Sequence, residues 1–346
     1  MTDEMLNEED GFDRRIARLS ADVRTAARTM RPSEARYLVD QYYQRQAERT
    51  RSANQSRAAK MDGEASPVTD WINGQALQLE DRIRALLDEY SGHQPLGQAC
   101  RANVGIGPVI AAGLLANIDM AHAPTTGHIW SFAGLDPRVL WLSADNTEKE
   151  LKRLLGDHKD GDILAREDIV RICEHFRRRL DTIERFAVTG KDGKCRPLSF
   201  ENVVKSVARR PWNGRLKVLC WKIGESFVKV SGKEEAFYGR LYSEYKAEEQ
   251  ARNAKGEFAQ QAADKLERFN IGKGTDAYKA YSKGILPPAH IHSRAKRRVV
   301  KLFLSHYHEV ATWVLFNRRA PKPWVLEHGG HTHYIAPPPA WGYTPE

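Results

Sequence analysis

The chain has 346 residues, 41% of them hydrophobic and 29% charged, so it is long enough for about two domains and too apolar for wholesale disorder. Its 54 Lys and Arg residues exceed its 45 Asp and Glu residues, and the net charge of +9 favours an anionic partner. The longest strongly apolar stretch, Val109 to Ile118, is shorter than the ~20 residues of a membrane span, so we expect a cytoplasmic protein that does not enter a membrane.

The first 95 residues are predicted to form a helical arm or hairpin. Apolar residues recur with helical spacing until Pro32 interrupts the pattern, and a second helix is expected over Ser33–Arg49. The polar stretch Ser52–Pro67 is interpreted as a fraying helix end and a linker, and residues 68–90 return to the helical period. Residues 11–90 are the surface through which we expect the chain to form a homo-oligomer.

The rest of the chain is also predicted to be helical. Residues 96–318 are expected to form one domain with an insertion near residues 143–197, and residues 319–346 to form an irregular tail rich in Pro and His. Residues 162–186 and residues 234–266 are each expected to form one long helix. The predicted fold class is therefore mainly α.

Positive charge is concentrated in the C-terminal two-thirds of the chain. Residues 1–100 hold 14 basic and 17 acidic residues, which leaves +12 for the remaining 246. Residues 196–222 and residues 290–320 each carry seven basic residues against one acidic residue, and Trp212, Trp221 and Tyr307 lie among them. This pattern is typical of a surface that binds a phosphate backbone, and a solvated helix face is the alternative. The DNA contacts predicted from these segments are Arg209, Arg210, Arg215, Lys217, Arg294, Lys296, Arg297 and Arg298.

A short glycine motif indicates how DNA would be bound. Gly105, Ile106, Gly107 and Pro108 precede a small apolar helix that runs to Ile118. Glycine permits positive φ and has no Cβ, so the backbone N–H groups of the turn and of the helix start can face a phosphate at close range. Pro108 suits the first turn of that helix. The four motif residues are therefore predicted to form a helix-hairpin-helix that binds the DNA backbone, with a packing turn as the alternative.

The motif resembles a known family over residues 98–138. The strings GIGPVIAAGLLANI and IWSFAGLDP, at this separation, are similar to the C-terminal domain of the transposases of insertion sequences 110, 116 and 902. Weaker similarity follows at residues 215–242 and residues 295–302. The resemblance implies a DNA-binding protein that acts in DNA transposition or recombination of a bacterial or phage mobile element. It implies DNA as the partner, a guide RNA as a further one, and a location in the cytoplasm at the nucleoid.

The chain departs from that family in its N-terminal part. Family members resemble a RuvC-type nuclease there, and their first strand carries a metal-binding carboxylate. Residues 1–95 show helical periodicity instead. We therefore expect no resident cofactor, and a divalent metal only where a partner supplies a nuclease site.

The resemblance also implies a serine nucleophile a few residues after the GLxP motif of the family. Ser143 is the only serine in that position, and its alternative role is an ordinary helix cap. Whether the protein is an enzyme stays open. A non-catalytic helical scaffold or interaction protein descended from a transposase is the alternative function.

Three histidines in the tail form the weaker candidate for a metal site. His328, His331 and His333 are close enough in sequence to supply three imidazoles to Zn²⁺. Turn packing and solvent exposure are the alternatives for these side chains.

Overall fold

A computed structural model describes residues 19–64, 66–188, 198–322 and 334–343. These residues are mostly α-helical, which confirms the predicted fold class. Within the same ranges, the β pairing consists of one isolated bridge between Ile163 and Ser199. None of the helices in the described ranges combines the length and the apolar character that crossing a membrane requires.

The chain divides into two compact units. Unit 1 comprises residues 1–126 and 219–346, and unit 2 comprises residues 127–218. Unit 2 is therefore an insertion into unit 1, wider than the insertion predicted at residues 143–197.

The helices follow one another with short connections. In chain order they are α1 (Ala21–Arg28), α2 (Pro32–Met61), α3 (Pro67–Gly92), α4 (Pro95–Arg101), α5 (Pro108–Asn117), a 3₁₀ turn (Met120–His122), α6 (Thr126–Phe132), α7 (Ala144–Leu155), α8 (Arg166–Phe176), α9 (Leu180–Val188), α10 (Phe200–Val207), α11 (Gly214–Lys229), α12 (Phe237–Ala254), α13 (Ala259–Arg268), α14 (Asp276–Ser282), α15 (Pro288–Phe316) and a 3₁₀ turn (Pro339–Trp341).

Helices α2 and α3 form the expected hairpin, but the linker predicted at Ser52–Pro67 is wrong for most of its length, because α2 continues to Met61. Polar contacts with α3 hold this extension. Ser56 Oγ donates a hydrogen bond to Asp70 Oδ1 at 2.8 Å, and Lys60 Nζ lies 2.7 Å from the same carboxylate. Contacts across the hairpin thus extend a helix whose own sequence reads as a fraying end.

Helix α5 lies in the interior of unit 1. Its residues are apolar on every side, which is typical of a buried helix. Ala112 and Ala116 belong to one hydrophobic cluster with Ile83 and Leu87 of α3. The arm and the glycine motif therefore share a core, and the division predicted at residues 95/96 does not coincide with a boundary between units.

Two of the long helices predicted from the sequence are each interrupted. The helix expected over residues 162–186 is split into α8 and α9, because Arg177 adopts a left-handed φ of 53° that ends α8. The helix expected over residues 234–266 is split into α12 and α13, which are separated by a turn where Gly256 has φ of 77°. Both breaks use the left-handed region, which a hydrophobic pattern does not reveal.

A hydrogen-bonded aromatic group ties the described part of the tail to unit 1. The Tyr238 hydroxyl donates to His306 Nδ1 at 2.7 Å and accepts from Trp341 Nε1 at 2.7 Å. His306 Nε2 then donates to the Ile335 carbonyl at 2.8 Å. Burial lowers the pKa of His306 to about 4, so its ring is neutral at pH 7 and can make both bonds.

Candidate nucleic-acid interface

The glycine motif forms a tight turn between two helices. Helix α4 ends at Arg101 and α5 begins at Pro108. Ile106 N donates to the Asn103 carbonyl at 2.9 Å and its side chain is buried. Gly105 has φ of 99°, a conformation that favours glycine. Residues 105–108 are called the GIGP turn below.

One side of the GIGP turn is closed by the C-terminal end of α11. A Cβ atom at Gly105 would lie 3.3 Å from Phe227 Cδ1 and 3.3 Å from Val230 Cγ2. Ser226 Oγ donates a hydrogen bond to the Gly105 carbonyl. This side of the turn is a packing contact, as the alternative interpretation of the motif expected.

The other side of the GIGP turn is open. Gly107 is exposed, and a Cβ atom there would have no heavy atom of the described residues within 4 Å. Gly107 is the N-cap of α5 and has an extended backbone, and as a glycine it has no side chain with which to cap the helix. Uncapped N–H groups at a helix start attract anions, and the absence of a side chain lets a phosphate approach them closely.

Two lysines near the C-terminal end of α11 were not among the predicted contacts. Lys229 and Lys233 lie on either side of Val230 in the chain and both are exposed. Within the described part of the chain, neither has a carboxylate at ion-pair distance. The contact between the motif and this end of α11 joins residues more than 100 positions apart in sequence, so a local pattern does not reveal it.

Two of the four basic residues predicted on α15 are engaged inside unit 1. Arg294 Nε lies 2.6 Å from Glu249 Oε2, and Glu249 is only 4% exposed. Lys296 forms an ion pair with Glu225. These cations therefore offer less charge to a phosphate than the sequence suggested.

The neighbouring arginines of α15 are exposed. Arg298 pairs with Glu248 at 2.7 Å and its guanidinium lies 3.9 Å from the Tyr245 ring centroid. Arg297 is exposed. Tyr307, which the sequence analysis placed among the basic residues of a surface, is 1% exposed and belongs to the core.

The other predicted contacts, Arg209, Arg210, Arg215 and Lys217, lie in unit 2, on or beside the segment between α10 and α11. All four are exposed. The segment is held at several points: Trp141 Nε1 donates to the Ala208 carbonyl at 2.8 Å, and Asn213 N donates to the Phe132 carbonyl at 2.8 Å. Its backbone is thus anchored, and its cations project from a fixed base.

Aromatic rings orient two of these cations. The Arg210 guanidinium lies 5.3 Å from the Trp141 ring centroid, and Lys217 Nζ lies 3.7 Å from the Trp212 ring centroid. The two indoles meet edge to face at 5.8 Å. The Trp212 ring also fills the space beside Gly134, where a Cβ atom would come within 2.8 Å of it.

Arg178, which lies between α8 and α9, contacts the same segment. One guanidinium nitrogen donates to the Val207 carbonyl at 3.1 Å and to the Arg209 carbonyl at 3.3 Å. Its Nε is buried and has no hydrogen-bond partner among the residues that the structure describes, and burial lowers the pKa of Arg178 to about 10. At a pKa of about 10 the guanidinium is still protonated at pH 7, so Arg178 adds its positive charge to that of the exposed arginines nearby.

Ser143 is the N-cap of α7. It is exposed, has φ of −61° and ψ of 164°, and does not cap the helix with its side chain. Across the described ranges, no group of three or more His, Cys, Asp or Glu side chains is placed to hold a metal ion. The nucleophile role of Ser143 stays a prediction, and His328, His331 and His333 lie outside the described residues.

Comparisons of the chain with protein-family models, with curated proteins and with solved structures find no match. The transposase resemblance therefore rests on the motifs of the sequence.

Proposed function

We propose that this protein binds the backbone of nucleic acid, DNA above all, through the GIGP turn, and that it acts in transposition or recombination of a mobile element at the bacterial nucleoid. The observation that carries the proposal is the open, uncapped start of α5 at Gly107. The packing of Gly105 supports it, because a turn fixed by α11 holds its N–H groups in place before a phosphate arrives.

The exposed cations of unit 2 provide a second contact with the backbone. Arg209 and Arg210 lie on an anchored segment, and Arg215 and Lys217 follow in the first turn of α11. Cations that contact phosphates displace condensed counterions, so affinity should fall with salt by about 0.9 in log K per log unit of salt for each phosphate contacted.

Binding is tested with fluorescent duplex DNA in a salt series, using two substitutions at one position. Gly107→Asp and Gly107→Ser both introduce a side-chain oxygen that can cap α5, so both should keep or slightly raise stability. Only Asp brings a negative charge to the phosphate position. We expect affinity at least about tenfold lower for Gly107→Asp than for Gly107→Ser, which corresponds to about 1.4 kcal/mol.

Circular dichroism and thermal unfolding of both Gly107 variants provide the folding control. Equal affinity of both folded variants and of the unmodified protein would contradict binding at the GIGP turn. Affinity that does not change with salt would contradict backbone binding altogether.

For the chemistry of transposition, the candidate in this chain is Ser143, and the alternative is a partner that supplies a metal-dependent nuclease site. A strand-transfer assay with the partner and Mg²⁺, with and without guide RNA, compares the unmodified protein with Ser143→Ala. Lost strand transfer with unchanged DNA binding supports the serine. Full activity of the variant assigns the chemistry to the partner.

A second candidate function, a helical scaffold, is favoured by the surface of the arm. Along α3, Val68, Trp71 and Ile72 are 65%, 58% and 49% exposed, while the polar Asn73 and Glu80 lie on the less exposed side. A run of apolar side chains that faces water marks an interaction surface. We propose a second copy of this chain as its partner, because a two-fold contact places the same apolar surface on both sides.

The scaffold proposal is tested by sedimentation velocity over a concentration series. Dimers should form in the unmodified protein and dissociate in Trp71→Asp, whereas Asp81→Asn on the same helix should leave them intact. A monomer at all concentrations would contradict the proposal.

A further inference from the structure

Helix α11, whose C-terminal end closes the GIGP turn, also carries an exposed tryptophan on another side. Trp221 is 55% exposed. One exposed apolar side chain needs no explanation by itself, but two lysine side chains lie beside this indole. Lys222 Nζ lies 5.5 Å from its ring centroid, and Lys296 Nζ lies 5.9 Å from it.

The two cations beside Trp221 differ in how they are neutralised. Lys296 is paired with Glu225. Lys222 stands 4.5 Å from the Tyr43 ring centroid and, among the residues that the structure describes, has no carboxylate at ion-pair distance. Its partial burial and the charge of Lys229 lower the pKa of Lys222. A bound anion would offset the repulsion between the ammonium groups of Lys222 and Lys229.

The cations continue from Trp221 toward the turn. At about 100° and 1.5 Å per residue, Lys222 and Lys229 lie about 100° and 80° around α11 from Trp221, and Ser226, the residue that bonds to Gly105, lies about 140° from it. Along the axis, Lys229 lies about 4.5 Å beyond Ser226. The axial distance from Trp221 to Ser226 is about 7.5 Å. A backbone held at the GIGP turn can therefore pass along two lysines and reach the indole.

We propose that Trp221 is a stacking platform for an unpaired nucleobase, in a strand whose phosphates are held by Lys222, Lys229 and the GIGP turn. This inference rests on the proposed function and specifies its substrate as nucleic acid with unpaired nucleotides. Bases inside a duplex already stack on both faces, so they do not stack on a protein ring unless they leave the helix. An aromatic ring among cations is the arrangement that binds single strands.

The test measures fluorescence anisotropy of labelled oligonucleotides with the full-length protein. The probes are a blunt duplex, the same duplex with a single-stranded fork, and single strands of DNA and of RNA. Stacking of one base is worth about 1–3 kcal/mol, a factor of roughly 5 to 150 in affinity. Trp221→Ala should lose affinity for the fork and the single strands by about tenfold and bind the blunt duplex within about twofold of the unmodified protein.

Two further variants make the result specific. Trp221→Phe keeps an aromatic face and should retain most of the affinity. Phe269 is a matched control, because it is 54% exposed and Lys265 Nζ lies 4.3 Å from its ring centroid. Phe269→Ala should bind every probe as the unmodified protein does. Equal losses in the Phe269 and Trp221 variants would overturn the proposal.

A base-specific readout separates stacking from a general loss of affinity. 2-Aminopurine at the unpaired position should be quenched by the unmodified protein and not by folded Trp221→Ala. Unchanged quenching, or equal affinity of Trp221→Ala for the fork, overturns the stacking site while the proposed function stands. If no probe binds the unmodified protein, both proposals fail. If Trp221→Ala weakens binding of the DNA single strand more than of the RNA single strand, the stacked base belongs to DNA, and the opposite result assigns it to RNA.

Discussion

Alanine at Gly105 should destabilise unit 1, because this glycine combines two constraints. Its φ of 99° lies in a region that costs an L-residue about 1–2 kcal/mol. The new methyl group would also stand 3.3 Å from carbons of Phe227 and Val230, which is tighter than an ordinary contact. Loss of glycine entropy in the unfolded chain offsets about 0.4–1 kcal/mol. The net expectation for Gly105→Ala is a loss of about 1–2 kcal/mol.

Alanine at Gly107 is the matched comparison. Gly107 has φ of −88°, and a Cβ atom there meets no heavy atom within 4 Å in the part of the chain that the structure describes. Alanine is a poorer N-cap than glycine, which lowers the free energy of unfolding. It also reduces the conformational entropy of the unfolded chain, which raises the free energy of unfolding by a similar amount. Gly107→Ala should therefore have nearly the stability of the unmodified protein, while its methyl group narrows the approach of a phosphate.

Urea unfolding followed by circular dichroism measures the difference between these two variants. With a slope of about 3 kcal/mol per M, a loss of 1–2 kcal/mol lowers the midpoint by about 0.3–0.7 M. If the two units unfold separately, only the transition of unit 1 should move for Gly105→Ala. A midpoint for Gly105→Ala equal to that of Gly107→Ala would refute the reasoning from φ and packing.

Three further outcomes follow from the structure. Arg294→Met should destabilise unit 1 by about 3 kcal/mol in urea unfolding, since it leaves the buried Glu249 carboxylate without its main partner, and adding Glu249→Gln should recover part of the loss. The pKa of His306 is about 4 in the folded state and near 6.5 in the unfolded chain, so the unfolded chain binds more protons between these pH values. The stability that His306 contributes above pH 6.5 should therefore fall by up to roughly 3 kcal/mol as the pH approaches 4. His306→Gln should weaken that pH dependence, which unfolding midpoints at pH 7 and pH 4.5 measure. Arg209→Gln and Arg210→Gln should each reduce the salt slope of DNA binding by about 1 in an anisotropy titration, and an unchanged slope would remove that arginine from the interface.

The sequence predicts the features of this protein that depend on neighbouring residues and misses those that depend on distant ones. The GIGP turn could be predicted because its glycines and proline act through local backbone geometry. The role of Arg294 could not, because its partner Glu249 lies 45 residues away. The helix that closes one side of the turn could not be predicted either, since Ser226 lies 121 residues from Gly105. Positive charge counted along a sequence therefore overestimates the charge that a surface offers to a ligand.

The burial of α5 links the core of unit 1 to the proposed interface. A helix start offers its N–H groups to a ligand most effectively when the helix cannot move, because binding then costs little conformational entropy. Gly113 lets Leu219 of α11 pack closely, as a Cβ atom there would come within 2.8 Å of the leucine. The same helix α11 closes the turn through Ser226 and carries Trp221. Small residues in the core thus fix the turn on α11, so one helix can position both a phosphate contact and a base contact.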